Sequence, residues 1–261
     1  MNENDPYLRI IRGSYSYLNS WAERARRNPP EEPQPGSELA IDDATFRWHR
    51  ISETVRLSLI AAGEHLRLAR DAIEVDEPYP SAHFTLLRGA FVGAAQAVWI
   101  LGPDDPDTRQ QRGFTVIAEM YEQMAKNHRE LETFNLNERQ RDLLSQQKKW
   151  LDARIASLGA QRKNKRKLVQ TEFIRWALEY RFKDEGRRED GRMLWRQMSA
   201  DAHVLSWSLM QRAQFASPTL GSDLGIGTAS GSLKDISQPF NASFLMLKEG
   251  WSLFDRRCEE R

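Results

Sequence analysis

Apolar residues recur along most of this chain at alternating steps of three and four, the spacing of a single buried stripe on an α-helix. Trp48, Ile51, Val55, Leu59, Ala62, Leu66, Ala69 and Ile73 make the longest such series, and Asp42 or Asp43 stands where an N-cap belongs. EPYPS at 77–81 ends that helix and starts the next. Residues 81–101 are apolar on every side, which predicts a central helix. A third helix over 107–133 turns Ile117, Met120, Met124 and Leu131 inward. Asn137 caps a fourth that carries Leu144, Leu151, Ile155 and Leu158, with Gly159 as its stop. A fifth runs from about Leu168 to Arg181. KDEGRRED (183–190) reads as a polar loop, and a sixth helix spans about 191–215. The last begins near Pro239, with Phe240, Phe244, Leu247, Trp251 and Phe254 as its stripe.

No segment alternates as a strand between hairpin turns, and no unit of 20–50 residues repeats. The pattern predicts an all-α fold, an antiparallel bundle of about six to seven helices. Residues 7–27 allow a short amphipathic helix, and NPPEEPQPGSE (28–38) then places four prolines in eleven residues, which forbids helix. Residues 1–40 are therefore expected to form an N-terminal arm with a short helix and a Pro-rich linker. Residues 41–261 are expected to form one helical-bundle domain, with a mobile Gly/Ser-rich loop at 217–235, of which LGIGTASG (224–231) could act as a lid.

Composition narrows this little. The 261 residues are 40% apolar and include eight tryptophans, enough for a sizeable core. A formal net charge of +1 gives no global field for nucleic acid or anionic lipid, so such binding needs a local patch. One cysteine, Cys258, permits no internal disulfide and suits a reducing cytoplasm. MNENDPYLRIIRG has no signal-peptide core. The longest apolar segment, GAFVGAAQAVWIL (89–101), is shorter than the about 20 residues that cross a bilayer, so no membrane role is expected.

Candidate chemistry is sparse. No histidine follows a glutamate by three residues, and HExxH and CxxC are absent, so no metal or other cofactor is expected. LGIGTASG (224–231) follows a helix and lacks the Lys-Ser/Thr of a phosphate loop. Arg88 is the only fully charged residue between Ser81 and Pro103. Such a charge either locks two helices through a buried salt bridge or sits at a cleft and binds an anion. RKNKRK supplies Arg162, Lys163, Lys165, Arg166 and Lys167, which suit either a solvated connection or a nucleic-acid backbone. In WRQMSADAHVLSW (195–207), seven helical steps return to within about 20° of the start. Arg196 and His203 therefore share a face, with Ser199 between them and Trp207 and Met210 beside them. Leu194, Met198, Leu205 and Leu209 are expected to face the core.

This Arg-x6-His spacing in a late helix of an all-α bundle resembles the Arg-x4–6-His motif of the HEPN superfamily. HFTLLRGAFVGAAQAVWIL (83–101), followed by Arg109, Arg112 and WRQMSADAH (195–203), also resembles a group of bacterial, largely actinobacterial helical proteins of unassigned function. Those pair a Leu-Leu-Arg-x-Ala…Trp-x-Leu helix with a later Ser-x-x-x-His. The resemblance covers about residues 45–215. It implies a HEPN-like fold, a homodimer through the face carrying Arg196 and His203, and a metal-independent endoribonuclease of toxin or phage-defence systems. Arg196, His203 and Ser199 would be catalytic, Arg88 and the basic run would hold RNA, and an antitoxin would be a possible partner. Non-catalytic HEPN-like proteins exist, so a helical protein–protein interaction module is the alternative.

Overall fold

The computed structural model describes residues 5–215 and 227–260. They form eleven helices: α1 Pro6–Arg12, α2 Tyr15–Ala25, α3 Glu38–Ala44, α4 Ile51–Glu74, α5 Ala82–Leu101, α6 Pro106–Leu131, α7 Glu138–Gln161, α8 Gln170–Arg181, α9 Glu185–Ala202, α10 Ser206–Arg212 and α11 Leu233–Cys258. Two-residue strands, β1 Gln214–Phe215 and β2 Gly227–Thr228, pair antiparallel. The fold is all-α, and seven of its helices have twelve or more residues. Of the loop expected at 217–235, residues 217–226 lie outside the described residues, and the last three residues are already the start of α11.

α5 is the axis of the molecule, packed on α4, α11, α8 and α9. The helix has 20 residues, seven more than the apolar segment that first marks it, and by length and composition it could cross a membrane. Eleven of those residues are buried within the protein, as a core helix requires. α6 and α7 form a hairpin at one side. Asn137 and Gln140 close a capping box at the start of α7. Leu144, Leu151 and Leu158 make its buried seam, while Ile155 is exposed.

Several boundaries differ from the sequence expectation, each through a specific tether. The helix expected from Asp42 is two helices. Asp42 is buried against Arg109 of α6, whose Nε lies 2.8 Å from its carboxylate, and this holds α3 apart from α4. Asp43 accepts from the Ser52 amide at 2.9 Å and so caps α4 from nine residues upstream. Trp48 consequently lies in the connection, exposed. Gly159 does not stop α7, which continues to Gln161. Residues 185–190 are helical because Asp184 caps α9, accepting from the Arg187 amide at 3.0 Å. α11 starts at Leu233 and takes Pro239 into its second turn. Residues 5–25 lie against the main body, where Leu8, Ile11 and Leu18 join its core beside α11 and α4.

Candidate functional site

The helix expected over 191–215 is broken where its histidine lies. α9 ends at Ala202, His203 is its C-cap, and Val204 takes a φ of 56°. A β-branched residue rarely adopts that conformation without a compensating interaction. Here the compensation is a polar network that folds α10 back onto α9. The buried Asp201 carboxylate accepts from Ser208 Oγ at 2.6 Å and from Arg212 at 2.7 Å. Arg212 also donates to the Pro80 carbonyl at 2.9 Å and stacks on Phe84, its guanidinium carbon 3.7 Å from the ring centre. α10 is thereby fixed to the start of α5 as well. Asp201, Ser208 and Arg212 were not singled out from the sequence. Their spacing of seven and then four residues is the signal that was there to find.

The break changes the surface. Met198 is buried and Leu194 half-buried, as expected of the core side, but Leu205 is exposed. Arg196 and His203 are both exposed, on α9 and at its C-terminal end. Seven residues of helical rise separate them by about 10 Å along the axis, and no hydrogen bond joins them. The Arg196 side chain has no ion pair or hydrogen bond among the described residues. Val204, Leu205, Trp207 and Met210 follow as a run of exposed apolar side chains, with Val204 90% accessible.

Arg88 reaches the same helix. Its Nε donates to Ser199 Oγ at 3.1 Å and its second terminal nitrogen to Gln170 Oε1 at 3.1 Å. No carboxylate lies within ion-pair distance of it among the described residues, so the salt bridge considered for Arg88 is not formed. The half-buried guanidinium lies beside Ser199, with Arg196 three residues before that serine and His203 four after.

The basic run is the extended connection from α7 to α8, and it ends three residues before Gln170, Arg88's partner. Its members divide. Lys163 pairs with Asp107 at 2.5 Å. Arg162 and Lys165 line a cleft between α6 and α7. Arg166 and Lys167 are exposed, on the part of the connection nearest in sequence to Gln170, Arg88's partner.

Arg109 and Arg112 have structural partners. Arg109 is enclosed by Asp42, Glu38 and the carbonyls of Pro103 and Asp104. Arg112 lies over Trp176 and Trp99, 3.9 and 5.1 Å from their ring centres, and burial brings its pKa down to about 10. No cluster of three or more His, Cys, Asp or Glu side chains suited to a metal ion occurs among the described residues. No protein-family model, curated protein or solved structure matches the chain.

Proposed function

We propose that this chain is a HEPN-like, metal-independent endoribonuclease of the cytoplasm, acting in toxin or phage-defence systems and held in check there by an antitoxin. One observation carries the reading. Arg196 and His203 stand exposed on either side of a serine whose hydroxyl is held by Arg88, a cation with no carboxylate partner among the described residues. A phosphodiester supplies the missing negative charge.

In this reading His203 accepts the proton of an RNA 2′-hydroxyl. The 2′-oxygen bonds to phosphorus, the bond from phosphorus to the 5′-oxygen breaks, and His203 of a second copy delivers a proton to that oxygen. The products are a 2′,3′-cyclic phosphate and a 5′-hydroxyl. Arg196 stabilises the five-coordinate phosphate. Arg88 and Ser199 position it, and Arg166 and Lys167 lie along the strand's approach. Val204, Leu205, Trp207 and Met210 give the second copy an apolar surface to cover.

The test is cleavage of a broad RNA panel in EDTA. Wild type should leave cyclic-phosphate ends, and His203→Ala should cut about 10²–10⁴-fold more slowly. Equal cleavage by both, or none by either, overturns the reading. The exposed apolar run also favours a second reading, a non-catalytic interaction module. That reading gains if Trp207→Glu abolishes self-association in sedimentation while wild type leaves every RNA intact.

A further inference from the structure

Between α6 and α7 lies a cleft of about 470 Å³ that the proposed ribonuclease chemistry does not use. Its size falls in the range of small-molecule sites. Its walls are mostly apolar, from Ala118 and Ala125 of α6 and from Ile155 and Leu158 of α7. Two of its lining residues each carry a buried polar atom without a hydrogen-bond partner. Tyr121 is 1% exposed, and its hydroxyl makes no hydrogen bond. Arg162 is half-buried, with its Nε unpartnered and no carboxylate in reach among the described residues; its guanidinium makes one hydrogen bond, to the Arg166 carbonyl at 2.7 Å. Burial holds Arg162 below the ordinary arginine range. An orphaned hydroxyl and a poorly solvated guanidinium are both costly unless something accepts from them. Glu122, also at the cleft, is engaged by Lys126 at 3.2 Å, and Lys165 adds a second cation at the rim.

Gly159 is the second sign. It lies inside α7, where alanine is the better helix former, and a Cβ there would meet nothing within 4 Å. No packing contact calls for a glycine at this position. What its missing side chain does is leave the wall of the cleft open.

We propose that this cleft binds an amphipathic monocarboxylate, its tail against Ala118, Ala125, Ile155 and Leu158 and its carboxylate on Arg162 and Tyr121. A planar carboxylate accepts two parallel N–H bonds from a guanidinium and still has a lone pair for a phenol. Lys165 adds charge attraction.

Octanoate is the probe, titrated into the full chain by calorimetry, with the methyl resonances of Ile155 reporting the place. Wild type should bind with Kd below about 1 mM, moving the Ile155 signals. 1-Octanol, which keeps the tail without the charge, should bind at least tenfold more weakly. Arg162→Gln should cost a similar factor, and Tyr121→Phe several-fold. Gly159→Leu fills the cleft, so it should abolish binding while its melting temperature stays at or above that of wild type. Absence of binding by wild type overturns the proposal. So does Gly159→Leu binding as tightly as wild type, or octanol binding as tightly as octanoate. RNA cleavage assayed on the same variants separates this site from the one at Arg196 and His203.

Discussion

His83 is wholly buried at the start of α5 and held from two sides. The Tyr79 amide donates to its Nδ1 at 3.0 Å, and its Nε2 lies 3.2 Å from the Ala69 carbonyl, to which the neutral ring donates. Burial pushes its pKa below the ordinary value of 6.5 despite those bonds. Above pH 6.5 the ring is neutral whether the chain is folded or not, and it adds no pH dependence. Below pH 6.5 the unfolded chain takes up a proton that the folded chain refuses, so stability falls until the lowered folded pKa is reached. His49 acts in the same direction, again chiefly through burial. The urea midpoint should therefore drop between pH 7.5 and pH 5.5. His83→Gln, which keeps a donor for Ala69, should have a shallower drop, and an unchanged slope would show that His83 takes up its proton equally in the folded and the unfolded chain.

At the scale of elements, glycines separate the close helix crossing from the open one. A Cβ on Gly93 of α5 would come within 2.9 Å of the Ser58 carbonyl on α4, backbone against backbone. Gly93→Ala should therefore cost about 1–3 kcal/mol of stability in urea titration, whereas Gly159→Ala should gain about 1 kcal/mol. The helices themselves were largely legible. The all-round apolarity of 81–101 announced the central helix, and the seven-residue recurrence of Leu144, Leu151 and Leu158 announced the α7 seam. What was not legible was where a polar side chain finds its partner. The gap between α3 and α4 depends on Arg109, 67 residues beyond Asp42. The break at His203 depends on Arg212 reaching back to Asp201. For the same reason the sequence marked Arg88, Arg196 and His203 as chemically interesting but could not bring Arg88 to Ser199. Tyr121 carried no mark in the sequence, because a missing hydrogen-bond partner is a property of the packed helices and not of the local pattern.

Across the whole molecule, a web of charge centred on two buried arginines joins elements distant in sequence. Arg257 of α11 pairs with Glu38 of α3 and, at 2.7 Å, with Asp104 beside α6, while Arg109 pairs with Asp42 and Glu38. Asp42→Ala would leave Arg109 enclosed with one carboxylate fewer. Its expected cost is about 3–5 kcal/mol, read from the denaturation midpoint, and a loss under 1 kcal/mol would show that Glu38 alone suffices. The same long reach governs the packing of α5, which is covered on one side by α4 and on another by α11. Leu233, where α11 starts, follows Leu101 by 132 residues. At common rates of translation that interval lasts on the order of 10 s. For that time the most apolar helix of the protein waits on the ribosome with one flank bare. Chaperones that hold nascent chains, and aggregation when they are scarce, thus have their opening on this protein before α11 is made.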